Sequence, residues 1–169
     1  SLVPGIEIIH FGHLRELLTW LRSGEYSPID TGTFEVSERE SATLDFSDIA
    51  GQERAKAALE IGAVGGHHIA MVGPPGVGKS MLASRIPTIL PTLNDRDALD
   101  VTSLHSIAGK ITAGSSPLIT TPPFIAPHHT ITRAGLIGGG AATISPGACS
   151  LAHRGILFLD EAPEISRPV

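Results

Sequence analysis

In "GHLRELLTWLRSG" the apolar positions Leu14, Leu17, Leu18 and Leu21 recur at spacings of three and four, which predicts a short amphipathic helix stopped at Gly24. The following stretch, 26–42, is polar, contains Pro28 and Gly32, and reads as a linker. A compact unit is expected from near Leu44. The alanine-rich "GQERAKAALEIGAVGG" predicts a helix packed on a neighbour, with Ser47 or Asp48 as its cap and Gly65 and Gly66 at its end. "HHIAMVG" then holds a four-residue apolar run, 69–72, of the length expected for a buried parallel strand. Helical spacing returns through Met81, Leu82 and Ile86 until Pro87 and Pro91 break it. It returns again in "DRDALDVTSLHSIAG", after Asn94 and up to Gly109. Residues 110–127 mix Ser, Thr, Pro and Gly with short apolar pairs, which predicts loops or a hairpin. A second apolar run, 156–159 in "GILFLDE", ends in two acids. Strand, helix, helix and strand together predict an α/β domain around a parallel sheet.

Composition narrows the class. A chain of 169 residues suits one domain with a sizeable core, and 19 glycines with 13 prolines put much of it in turns. One Trp and one Tyr argue against an aromatic platform for stacked bases. A formal charge of −5 gives no general attraction to phosphate backbones, so any nucleic-acid affinity must come from a local patch or a ring of subunits. Cys149 is alone, which excludes an intrachain disulfide and fits a reducing compartment. No apolar run approaches the ~18 residues that cross a bilayer, and no leader pattern opens the chain. A cytoplasmic location is the expectation. The chain opens on Ser1 and stops at "SRPV" just after an apolar run, so it reads as a fragment.

The chemistry concentrates at 73–80, "GPPGVGKS", which satisfies G-x-x-x-x-G-K-[S/T]. Gly73, Gly76 and Gly78 let the backbone curl around Pro74, Pro75 and Val77, so that successive N–H groups face phosphate oxygens. A helix opening there, at Lys79, Ser80 and Met81, favours an anion. In this scheme Lys79 reaches the β- and γ-phosphates, and the Ser80 hydroxyl ligates Mg²⁺. A buried strand ending in Asp160 sets that carboxylate at the carboxyl edge of the sheet, where it is expected to hold Mg²⁺ through water. Glu161, one residue on, is the expected base for the attacking water. Together these predict an NTP-binding site.

"DFSDIAGQERAKAALEIGAVGGHHIAMVGPPGVGKSMLA" resembles the start of the AAA+ module in magnesium-chelatase-like ATPases. "APHHTITRAGLIGGG" followed by "PGACSLAHRGILFLDEAPE" is similar to the second block of the YifB/ComM group within them. The match runs from about Leu44 to Glu164. The resemblance implies a P-loop NTPase fold, a parallel sheet flanked by helices, truncated here after the Walker B strand. It implies that residues 1–43 are the tail and linker of a preceding Lon-like domain and 44–169 the N-terminal part of the ATPase module. It implies ATP as the nucleotide, with Ile49 and Gly51 near adenine, Mg²⁺ as cofactor, and a hexameric ring in the full-length protein. DNA remodelling by branch migration is the implied work. Metal insertion into a porphyrin and a nucleotide-gated scaffold are the alternatives. In the family's sheet a sensor strand lies between the 69–72 and 156–159 strands. That strand, the arginine finger and the C-terminal lid are expected beyond Val169, so the chain alone is expected either not to form the normal sheet stably or to close the gap in a non-native way, and to bind nucleotide weakly.

The remaining conspicuous residues have plainer expectations. His67 and His68, adjacent on an extended backbone, point to opposite sides and make poor partners for one metal ion. Arg54 and Lys56 are expected on an exposed helix face, Cys149 as a small buried residue, and Arg154 as a surface arginine. "APHHTITRAGLIGGG", 126–140, has no metal-ligand spacing and no Lys-Ser/Thr after its glycines. It is expected to be a mobile glycine-hinged loop whose His128, His129 and Arg133 contact substrate or the next subunit.

Overall fold

The computed structural model describes residues 9, 11–24, 44–111, 118–140 and 144–165. The chain divides into two units, 1–38 with 113–117 and 39–112 with 118–169. In the first unit the predicted helix is present as α1, Leu14–Ser23. Gly24, at φ 70°, closes it by donating its N–H to Trp20 O at 2.8 Å. Phe11 packs on Trp20 with ring centroids 5.6 Å apart. The leucine stripe itself is largely exposed, with Leu14 at 71% and Leu21 at 64%.

The second unit mixes helices with a small parallel sheet. Its helices are α2 (Glu53–Gly65), α3 (Lys79–Arg85), α4 (Asp95–Ile107), α5 (Arg133–Ile137) and α6 (Ala148–Leu151). Its strands are β1 (Phe124–Ile125), β2 (Gly138–Gly139), β3 (Ser145–Pro146) and β4 (Ile156–Leu157). β1 pairs with β4 in parallel, and β2 with β3 antiparallel.

The core gathers Phe46, Ile49, Leu59, Leu82, Ala83 and Ile86, with Met71, Phe124, Ile156 and Phe158 packed against it. Burying one such Leu or Phe side chain stabilises by ~1.5–3 kcal/mol, so this cluster ties α2, α3 and the sheet into one body. Ser47 and Asp48 do not cap α2. They form a 3-10 turn, Phe46–Asp48, capped by Asp45. Hydrogen bonds from Ser47, the side chain first and then the backbone, hold the Asp45 carboxyl below its usual range. The α2 start falls instead to Gln52 in a left-handed conformation, φ 58°. Its end at Gly66 is as the sequence predicts.

The apolar run 69–72 departs from expectation. No strand is assigned there, Ile69 is 41% exposed and Val72 99% exposed. Among the described residues no ladder covers its flank, so only Met71 meets the core and Ile69 lies on Gly62. The second run is a strand for only two residues, 156–157, and Leu159 is 37% exposed. The region expected to be loops or a hairpin supplies the missing partner, since β1 lies at 124–125 and pairs in parallel with β4.

α4 is the scaffold for the return path of the chain. Asn94 caps it by accepting from Asp97 N at 2.9 Å, as its placement in the sequence predicts. Ala98 and Val101 are buried at 1% and 0% exposed. His105 Nε2 lies 2.9 Å from Leu151 O, and Thr102 Oγ1 accepts from Ile119 N at 2.9 Å. Arg154 Nε pairs with Asp97 Oδ1 at 3.1 Å, so this arginine has a specific intrachain partner. Cys149, expected inside, is exposed, because the short α6 turns its neighbour Ala148 inward instead.

Candidate functional site

The glycine loop is built locally. Gly76 and Gly78 adopt φ 81° and 87°, a left-handed conformation that a side chain would strain, and Gly78 leads directly into α3. Lys79, the first residue of that helix, reaches back across the loop and donates its Nζ to Gly73 O at 2.8 Å and Pro74 O at 3.1 Å. The cationic group therefore lies over the loop. Pro74, Pro75 and Val77 are exposed, and Met81 is 40% exposed. Gln52 braces the loop from the start of α2, its Nε2 donating to Val77 O at 2.9 Å.

The acidic pair arrives from the far end of the sequence. Ser80 Oγ donates to Asp160 Oδ2 at 2.8 Å, across eighty residues of chain. Glu161 N donates to the other oxygen, Asp160 Oδ1, at 3.0 Å. Asp160 is thus fixed between the loop and its own neighbour. Glu161 sits at φ 50° and ψ 42°, unusual for a residue with a side chain, and its side chain is 62% exposed. The sharp turn sends its side chain off the strand path toward His129, whose Nδ1 lies 3.2 Å from Glu161 Oε2.

The hydroxyl and carboxylate at Ser80 and Asp160 are hard oxygen donors. Mg²⁺ prefers such donors and commonly takes only one or two from protein, the rest from phosphate and water. The two residues present fit that group. Among the described residues no cluster of three or more His, Cys, Asp or Glu side chains stands ready for a protein-only metal site.

The other predicted residues fall in three places. Ile49 is in the core at 2% exposed, while Gly51, at φ 68°, is exposed beside Gln52. Lys56 is half-buried and 3.9 Å from Glu53, whereas Arg54 is exposed as expected. The segment 126–140 has regular structure where an open loop was expected. Thr132 caps α5 by accepting from Gly135 N at 3.1 Å, and Gly138 and Gly139 enter the β2–β3 pair. Gly147 allows this, because a side chain there would collide with the backbone of 136–138. His128 and His129 stack with ring centroids 4.0 Å apart, and Arg133 is exposed on α5.

Two contacts at the site escape the sequence reading. Gln52 is hinted at by its place directly after Gly51, but its reach to Val77 depends on the αL turn. The His129–Glu161 contact has no local signal, because a strand pairing creates it.

The description "magnesium chelatase, subunit ChlI" belongs to the family model that matches residues 45–169. An uncharacterised protein of Mycobacterium tuberculosis is 48% identical over 171 residues, covering 98% of this chain and 32% of that protein. YifB of Escherichia coli is 46% identical over 123 residues, 73% of this chain and 24% of that protein. Competence protein ComM of Haemophilus influenzae is 45% identical over 127 residues, 75% of this chain and 24% of that protein. The chain spans a third or less of the length of these curated relatives. With the family model covering most of its length, the chain belongs to the magnesium-chelatase ChlI family of AAA+ ATPases.

Proposed function

We propose that this chain carries the ATP- and Mg²⁺-binding site of an AAA+ motor, and that the full-length protein hydrolyses ATP to remodel DNA. The observation that carries the reading is the 2.8 Å bond between Ser80 and Asp160 beside the Lys79 loop. Residues eighty apart converge beside the loop, which supports a phosphate cradle with a magnesium ligand pair next to it.

Each group then has a task. The loop from Gly73 to Gly78 offers backbone N–H groups to phosphate oxygens. Lys79 exchanges the carbonyls of Gly73 and Pro74 for phosphate oxygens, a charge-assisted bond worth ~1.5–3 kcal/mol. Ser80 would ligate Mg²⁺ and Asp160 would hold it through water, and the ion when bound would offset charge on the phosphates. Glu161 accepts a proton from water, and Ile49 with Gly51 borders the base. Residues 1–43 are the tail of a preceding Lon-like domain. The working form is a homohexameric ring in the cytoplasm. No described helix is long and apolar enough to cross a membrane.

DNA as the remodelled partner is supported by the likeness to competence protein ComM and by the acid-free segment 126–140 with its exposed Arg133. A second reading, metal insertion into a porphyrin, is favoured by the description of the matching family model. ATPase activity of the full-length protein, with and without branched DNA, separates the two. DNA should stimulate turnover, Lys79→Ala should lose nucleotide binding, and Glu161→Gln should bind ATP without hydrolysing it. Turnover that ignores DNA and requires a porphyrin-binding partner favours the second reading. Full turnover by Glu161→Gln removes that residue from its role.

A further inference from the structure

Among the described residues three that are not glycine hold a left-handed backbone: Gln52 at φ 58°, Arg154 at φ 57° and Glu161 at φ 50°. Such a backbone is strained in a residue with a side chain, and it gathers where a structure puts that side chain to use. Gln52 braces the phosphate loop, and Glu161 stands beside Asp160. Arg154 has no part in that site. It is the third residue of the turn 152–155, which Gly155 N closes by donating to Ala152 O at 2.9 Å. Glycine or asparagine is the ordinary occupant of a left-handed turn position.

The ladder sets Phe124 opposite Ile156, so Pro122 and Arg154 both stand two residues ahead of it, at the amino edge of the sheet. Asp160, which meets Ser80, follows the carboxyl end of the same ladder. Around Arg154 a cleft of about 490 Å³ opens between the end of α2, residues 90–93 and the start of α4. Val64, Leu90, Leu93 and Pro122 give it an apolar wall, and the exposed Gly65 and Gly66 leave part of its rim without side chains.

Arg154 is held from one end only. Asp97, 18% exposed, places Oδ1 3.1 Å from Arg154 Nε, and its Oδ2 accepts from Asn94 Nδ2 at 3.0 Å. Asn94 Oδ1 in turn accepts from Asp97 N at 2.9 Å. Both carboxylate oxygens of Asp97 are therefore engaged. The two terminal nitrogens of Arg154 make no hydrogen bond among the described residues, and the side chain is 53% exposed. A planar fork steered at Nε with its far end free matches the two oxygens of a carboxylate. The cleft carries no cationic surplus for a polyanion, because Asp97 balances Arg154, and Asp95 balances Arg96 at the start of α4.

We propose that this cleft is a docking site for an acidic peptide segment, an Asp or Glu between apolar residues, with its carboxylate on the Arg154 fork. The apolar neighbours rest on the wall of Val64, Leu90, Leu93 and Pro122, and the glycine rim lets the peptide backbone come close. The strained backbone of Arg154 is what aims the fork along the cleft.

The test is fluorescence polarisation of short labelled peptides with the full-length protein. Each peptide carries one Glu among Leu, Val and Ala, and each has a twin with Gln in place of that Glu. The Glu peptides should bind about tenfold or more tightly than their twins, the size of a charge-assisted bond. Arg154→Asn is the central variant, because Asn accepts the left-handed backbone and removes the fork. It should erase the preference for Glu and leave ATP affinity unchanged, which also reports an intact fold. Arg154→Lys keeps the charge without the fork and should lose most of the preference. Equal binding of the Glu and Gln peptides to the unaltered protein overturns the proposal, whatever the variants do. A preference for Glu that survives in Arg154→Asn or is fully kept in Arg154→Lys overturns it as well. Sodium hexanoate is the competing small acid. If it binds as tightly as the best peptide, the site takes free carboxylic acids and the peptide assignment falls.

Discussion

The glycine loop at 73–80 and the β1–β4 strand pair meet at Ser80 and Asp160, yet different forces shape them. The loop is a local object: Gly76, Gly78 and Lys79 set its curl within a few residues, and one brace from Gln52 steadies it. The strand pair is a long-range object, because Pro123–Ile125 has to find Ile156–Phe158 before His129 and Glu161 are neighbours. The apolar run that leads into the loop, 69–72, has no ladder on it among the described residues, and Val72 is 99% exposed. The loop thus keeps its shape without a complete sheet, while the acidic pair depends on sheet formation. Damage to the strand pair should cost turnover more than phosphate binding, and damage to the loop should spare the fold.

Gly155 gives the largest break. A side chain there would collide with the backbone of Pro123, at the point where Ile156 N donates to Pro123 O. Gly155→Ala should lower stability by ~1–3 kcal/mol, the usual cost of overpacking, as read from urea melts of the full-length protein. It should also lower turnover more than nucleotide affinity, since the site for Glu161 moves while the loop does not. An unchanged melt means that the two strands do not approach as closely as described. A smaller effect is expected at Gln52, on the other side of the comparison. Gln52→Ala removes the bond to Val77 O, an exposed interaction of ~0.5–1.5 kcal/mol, and should weaken ATP binding by up to about tenfold without moving the melt. A shifted melt with unaltered affinity makes Gln52 part of the fold and not a brace for the loop.

The same contrast explains what the sequence reveals. The phosphate-loop pattern is contiguous, so its residues and the helix after it are readable directly. The ends of α1, α2 and α4 are readable too, since Gly24, Gly66 and Asn94 act on their own neighbours. β1 is two residues long, and a Phe-Ile pair between prolines leaves no periodicity to detect. Its pairing with β4, and with it the meeting of His129 and Glu161, depends on a register that only the folded chain defines. Arg154 and Asp97 are likewise joined through α4 packing. The α2 cap at Gln52 turns on a single backbone angle, and the exposure of Cys149 on which face α6 buries, neither of which composition encodes.

The central claim is that the loop and Asp160 form one magnesium-nucleotide site, and calorimetric ATP binding by the full-length protein tests it most directly. Titrations with and without Mg²⁺ would compare the unaltered protein with Ser80→Ala and Asp160→Ala. The account predicts that Mg²⁺ tightens ATP binding by about tenfold, in line with charge-assisted contacts, and that either substitution removes most of this gain. A magnesium effect that survives in Asp160→Ala would contradict it.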